Sequence, residues 1–180
     1  MKRQNGLTLI ELLITMVVLT IILALGVPSF MQFIKNNRIT AQASSLVISV
    51  QLARNEAIKR GSGSVICAST DQATCSGNDD WTTGWIVFSD LDRNGAPDVG
   101  ATDPLCEPAE DCIMRTVNSL SKSTLDGGGT DNIRFLPNGL TNSGGTMTLT
   151  LTADDCYSNQ VRDITITRQG HMTTTKQPCP

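Results

Sequence analysis

Histidine occurs once in this chain of 180 residues, at His171, and no two of the six cysteines are spaced Cys-x-x-Cys. A zinc site built from nitrogen and sulfur ligands is therefore not expected. The lone imidazole sits in a Gly-His-Met stretch near the C-terminus with no nucleophile motif beside it, and no spacing of the aspartates marks an acid/base pair. The inventory thus points away from an enzyme. An excess of basic charge is also missing. Fourteen Lys and Arg stand against seventeen Asp and Glu, for a net charge of −3, so no overall field draws nucleic acid or anionic lipid. No internal repeat stands out. From Leu7 to Met31 charge is almost absent altogether, the one ionisable side chain being Glu11.

That uncharged stretch is what is present in place of the missing chemistry. A run of roughly 20 apolar residues is long enough to cross a bilayer as a helix. Lys2 and Arg3 precede it, which favours holding that end in the cytoplasm. A secretory signal peptide would have a shorter apolar core followed by a small-x-small cleavage site. Here the small residue, Gly6, lies ahead of the run, so a cut after it would leave the apolar helix on the mature protein. Pro28 falls inside the run and is expected to kink the helix. Glu11 is costly there, about 2.5–3.5 kcal/mol on insertion scales, unless it reaches the headgroups or meets a cation from a neighbouring helix.

The segment Gly6-Leu7-Thr8-Leu9-Ile10-Glu11-Leu12-Leu13 resembles the cleavage and methylation motif of type IV pilins and type II secretion pseudopilins. The resemblance implies that a prepilin peptidase cuts after Gly6 and that Leu7, standing where the family usually has phenylalanine, becomes the N-methylated first residue. It further implies that Glu11, fifth after the cut, neutralises the free amine of an adjacent subunit during assembly. On this reading residues 1–6 are a leader peptide and 7–34 the transmembrane and assembly helix.

Beyond the boundary near Lys35 the apolar positions become periodic. Ile39, Ala43, Leu46, Val50, Ala53 and Ala57 alternate steps of four and three, one stripe of a helix over 35–60, with Val47 and Ile58 widening it. Lys59 and Arg60 suit the last turn and Gly61 the stop. Residues 61–180 then carry short β-prone runs, 64–69, 84–89, 113–120, 133–136, 146–152 and 161–167, between clusters of Gly, Asn, Asp and Ser. Asp163–Thr167 and Thr146–Leu151 alternate strictly, so each is expected to show one wet face. A long helix followed by an antiparallel sheet reads as α+β. Leu52–Arg60, Trp81-x-x-Gly84-Trp85-Ile86-Val87-Phe88-x-Asp90 and Ile133-Arg134-Phe135-x-Pro137-x-Gly139 resemble signatures of the GspH/FimT group of minor pilins and pseudopilins. The resemblance implies a type IV pilin-like fold, the helix packed on a β-rich head.

Three features of the head bear on chemistry. The cysteines Cys67, Cys75, Cys106, Cys112, Cys156 and Cys179 all follow the apolar run, and an even count on a translocated side reads as disulfides. Many connectivities are open. Short loops favour Cys67–Cys75 and Cys106–Cys112, with Cys156–Cys179 tying down the C-terminal tail. Asp90-x-Asp92-x-Asn94-Gly95-x-x-Asp98 resembles the first part of a calcium loop, but position 12 is Ala101 rather than glutamate. The competing reading is a turn in which Asp and Asn cap their own backbone. Last, some FimT-like pilins resemble DNA receptors with a Gly-Arg-x-Arg motif. The matching stretch is Gly170-His171-Met172-Thr173, which leaves only Arg162, Arg168 and Lys176 nearby as phosphate contacts.

The resulting expectation is a non-enzymatic minor type IV pilin, anchored once in the inner membrane with a periplasmic head and then built with other pilins into a pilus or its tip, where it supports pilus biogenesis. A type II secretion pseudopilin and a DNA-uptake pilin are the alternatives, and DNA is not an expected partner.

Overall fold

The computed structural model describes residues 8–98 and 111–180. It opens with one helix, α1 (Leu9–Arg60), in which Pro28 is accommodated without interrupting the helix. The chain divides into two compact units between Asn37 and Arg38, and α1 supplies residues to both.

In the first unit, every residue of α1 from Leu9 to Met31 is exposed. In the second unit, α1 buries Ile39, Ala43, Leu46, Ser49, Val50, Ala53 and Ala57, the apolar stripe plus one hydroxyl. Ile58 departs from the stripe: it is 49% exposed, while Val47 packs at the margin of the core. The helix ends as its chemistry dictates. Glu56 pairs with Arg60 at 2.9 Å and with Lys59 at 3.4 Å, and Gly61, at φ 67°, donates its N–H to the Ala57 carbonyl.

The stripe faces two antiparallel four-stranded sheets rather than the single sheet expected. The strands are β1 (Gly63–Ala68), β2 (Trp85–Asp90), β3 (Cys112–Val117), β4 (Ser123–Asp126), β5 (Asn132–Phe135), β6 (Met147–Ala153), β7 (Val161–Ile166) and β8 (Met172–Gln177). One sheet has the order β3-β2-β1-β5 and the other β4-β6-β7-β8. Strands β4 and β8 lie outside the β-prone runs. β4 is only four residues long, and β8 (Met-Thr-Thr-Thr-Lys-Gln) is an edge strand whose side chains are almost all exposed. Backbone pairing to β7 from Val161↔Gln177 to Ile166↔Met172 defines it, with no apolar alternation to announce it.

The main core unites Leu46, Val50 and Ala53 of α1 with Trp81, Trp85, Val87, Phe135, Leu149, Leu151 and Ile164. β6 alternates with Met147, Leu149, Leu151 and Ala153 inward, so its other face is the wet one. β1 and β2 differ, being buried along their whole length. Their second face forms a smaller cluster of Val65, Cys67, Ile86 and Phe88 with Cys75 and Ile113. The unbroken run Trp85-Ile86-Val87-Phe88 is the sequence mark of a strand covered on both sides.

Polar bonds fix the layers. Trp85 donates from its indole to the Ser49 hydroxyl at 2.9 Å, and Trp81 to the Thr130 carbonyl at 2.7 Å, both inside the core. Gly84, between the two tryptophans, holds φ 108°, and a Cβ there would lie 2.3 Å from the Val117 carbonyl oxygen. Only glycine fits. Arg54 joins two of the signature segments by donating to the Gly139 carbonyl at 3.1 Å.

Candidate functional site

Four places in the chain carry the expected site residues. Gly6 and Leu7 lie outside the described residues. Thr8 caps α1: its hydroxyl accepts the Glu11 N–H at 3.3 Å and its carbonyl accepts the Leu12 N–H at 3.2 Å. Thr-x-x-Glu is the spacing of a capping box, and a carboxylate in the first turn also suits the helix dipole. Glu11 thus stands in the first turn of the helix, exposed at the head of an exposed apolar surface. What the arrangement offers a partner is a negative charge followed by continuous hydrocarbon.

Two disulfides lie within the described residues. Cys67–Cys75 joins buried β1 to the loop that follows it, with an S–S distance of 2.01 Å. Cys156–Cys179 ties the end of the chain, just past β8, to the β6–β7 connection. The Cys179 N–H also donates to the Ser158 carbonyl at 2.8 Å, so this end is held by both a covalent link and a hydrogen bond. Cys112 is disulfide-bonded as well, while Cys106 lies outside the described residues.

The acidic turn after β2 is closed by its own side chains. Asp92 accepts the Asn94 N–H at 3.0 Å, the Asn94 side-chain oxygen Oδ1 accepts the Ala96 N–H at 2.7 Å, and Gly95 sits at φ 83°. The carboxylates that converge differ from the set read along the loop. Asp90, Asp92 and Asp111 each bring an oxygen to within 4.8 Å of the others, whereas Asn94 is engaged by the turn and Asp98 stands outside that trio. Asp111, twenty-one residues beyond Asp90 in sequence, enters because it immediately precedes β3, which pairs with β2.

Asp90 and Asp111 are both buried, at 0% and 2% exposure. Asp90 accepts the Gly95 N–H through Oδ1 at 3.3 Å, and Asp111 accepts the Leu91 N–H through Oδ1 at 2.8 Å. Among the described residues, the Oδ2 atom of each has no hydrogen-bond partner. Arg134 of β5 approaches Asp90 Oδ2 at 3.6 Å, which is ion-pair range but too long for a hydrogen bond. Burial pushes the Asp111 carboxyl above its ordinary range. The Leu91 hydrogen bond opposes that shift, and the neighbouring charges of Asp98, Asp90 and Asp92 add to it.

The C-terminal cations do not form a patch. Arg162 is buried at 3% exposure and donates through Nη1 to the Asn159 carbonyl at 2.7 Å and the Val161 carbonyl at 2.9 Å. Desolvation lowers its pKa. It is a structural residue of β7 rather than the phosphate contact expected from sequence. Arg168 and Lys176 are exposed. His171 lies in the β7–β8 turn, where its carbonyl accepts the Thr167 N–H and its N–H donates to the Thr167 hydroxyl.

Against this geometry stand the solved structures the chain is similar to. The type IV minor pilin FimU of Pseudomonas aeruginosa superposes with a TM-score of 0.56 at 18% identity, over 82% of this chain and 92% of that one. A second crystal form of FimU gives 0.54 at 17% identity, over 78% and 96%. The minor pseudopilin EpsH of the Vibrio cholerae type 2 secretion system gives 0.48 at 14% identity, over 77% and 97%. Curated proteins give no significant match. The helix and antiparallel sheets are thus a type IV pilin fold. Residues 1–27 match the prokaryotic N-terminal methylation motif, and residues 42–170 match the family described as type II transport protein GspH. With most of its length covered by that match, the chain belongs to the GspH family.

Proposed function

We propose that this chain is a minor type IV pilin, a non-enzymatic subunit that enters a filament of other pilins and supports its assembly. The observation that carries the reading is the first part of α1: from Leu9 to Met31 every side chain is exposed, on a segment that matches the methylation motif and leads into a GspH head. Water does not tolerate so long an apolar face, so lipid covers it before assembly and like helices cover it afterwards. Residues 1–6 are the leader removed by a prepilin peptidase, 7–34 the membrane and assembly helix, 35–60 its continuation into the head, and 61–180 the β-rich head. The head is periplasmic while the helix sits in the inner membrane. Pro28 is the point at which the helix bends on entering the bundle. Glu11 pairs with the free amine at Leu7 of a neighbouring subunit.

A second reading, a minor pseudopilin of a type II secretion machine, is favoured by the description of the family itself. The two share topology and differ in the filament they join.

The experiment is expression of the full chain in a host with the filament machinery, followed by mass spectrometry and filament fractionation. The mature protein begins at Leu7. Gly6→Val stays unprocessed. Glu11→Val inserts in the membrane at least as well as the parent and is lost from filaments. A different mature N-terminus, or normal incorporation of the Glu11→Val chain, overturns the assignment. Crosslinking to pilins rather than to secretion components separates the two readings.

A further inference from the structure

We propose that Asp90, Asp92 and Asp111 form a calcium site that clasps the two ends of the β2–β3 connection. Three carboxylates from three positions converge to within 4.8 Å, and all the donors are oxygen, which selects a hard cation over zinc or copper. The second, independent observation is the orphaned oxygen of Asp111. Its side chain is buried at 2% exposure, Oδ1 is engaged by the Leu91 N–H, and Oδ2 has no hydrogen-bond partner among the described residues, in a carboxyl group that lies against Asp90 and Asp92. A buried carboxylate oxygen left unpaired costs free energy that a cation would recover.

The charges around the cluster set its strength. Asp98 adds to the negative field at Asp111, and Arg134 on β5 faces Asp90 from across the sheet at 3.6 Å. Arg134 also donates to the Arg93 carbonyl at 3.2 Å, so its guanidinium is held near the acidic turn. One guanidinium against three carboxylates leaves a net negative site, but it competes with any bound ion. The affinity therefore falls in the range of extracellular calcium modules, about 0.1–1 mM. Exposed Asp92 leaves room for water to complete an irregular shell, which suits calcium better than magnesium with its strict octahedron. Bound there, the ion ties Asp92, after β2, to Asp111, before β3.

The test uses the full chain in detergent micelles, stripped with chelator and titrated with calcium chloride by calorimetry and by thermal melting of the head. One calcium binds per chain, and about 5 mM calcium raises the Tm by about 3–5 °C. Asp92→Asn and Asp111→Asn each abolish both signals, while Asp155→Asn on the β6–β7 connection leaves them intact. In chelator, Asp111→Asn melts no lower than the parent, because the buried unpaired charge is gone. Asp92, being exposed, decides the matter if Asp111→Asn does not fold. Arg134→Gln binds calcium more tightly. A parent protein with no heat of binding and a Tm unmoved by calcium overturns the proposal, as does a response that survives both Asp92→Asn and Asp111→Asn. An equal shift with magnesium overturns the assignment to calcium.

Discussion

The two parts of α1 are one element of structure in opposite circumstances. Past Arg38 the helix places seven residues in the core and ties itself to the sheets through side chains. Ser49 accepts from Trp85, Gln42 both accepts from Ser123 and donates to the Ser121 carbonyl, and Arg54 donates to the Gly139 carbonyl. Before Asn37 it buries nothing, although its side chains are the more apolar: Leu9, Ile10, Leu12, Leu13, Val17 and Leu25 are all about half exposed or more. The fold therefore satisfies the helix where it is amphipathic and leaves it unsatisfied where it is wholly apolar. A helix hydrophobic on all sides cannot be completed by one sheet face, only by a medium or by several copies of itself. The difference identifies which part of the chain stabilises the head and which part is reserved for partners.

Substitutions of like chemistry in the two parts should break this comparison most directly if it is wrong. Leu46→Ala removes a side chain that is 1% exposed and should destabilise the head by about 2–5 kcal/mol, read by thermal or urea unfolding of the full chain in micelles. Leu19→Ala removes the same atoms from a position 55% exposed and should leave the unfolding of the head within about 0.5 kcal/mol of the parent. Equal effects at the two positions would mean that the exposed part contributes to the head after all.

A smaller effect sharpens the account of how α1 is held. Ser49 lies in the apolar stripe by position, and its hydroxyl accepts the buried Trp85 indole N–H while donating to the Ser45 carbonyl. Ser49→Ala raises helix propensity and nearly conserves volume, yet strands that indole donor. The expected loss is about 1–3 kcal/mol by the same unfolding measurement. A neutral substitution would show that packing alone orients the helix on the sheet.

How much of this was legible in the residues follows from which interactions are local. The stripe from Ile39 to Ala57 and the alternation of β6 depend on period alone, and period is written in the chain. Ser49 was not legible, because a serine inside an apolar stripe shows its partner only once Trp85 is placed 36 residues away. β8 was missed because its threonines carry no buried face and only pairing with β7 makes it a strand. Asp111 escaped the loop pattern for a related reason. It joins Asp90 across a connection of twenty residues, through the pairing of β2 with β3, and no motif of fixed spacing encodes that. The motif at Gly6–Glu11 was the opposite case, a contiguous stretch that family comparison recognises without any fold.

The smallest expected effect concerns DNA, and it applies the same division between groups the fold satisfies and groups it leaves free. Counting from Lys35 onward, the chain has 12 basic and 16 acidic side chains, so attraction to phosphate must come from a local patch. The one arginine central to such a patch, Arg162, is buried and bonded to the Asn159 and Val161 carbonyls. Arg162→Ala should therefore lower head stability rather than change any binding. Arg168 and Lys176 remain exposed, and two phosphate contacts give an affinity that falls steeply as salt rises. At about 150 mM salt, where surface attraction reaches only about 8 Å, a fluorescence titration of the full chain in micelles with duplex DNA should show no saturable binding. At low salt, weak binding that the Arg168→Ala, Lys176→Ala pair removes is consistent with those two residues alone. Micromolar binding at the higher salt, abolished by the same pair, would establish an exposed phosphate site at the C-terminal end of the head.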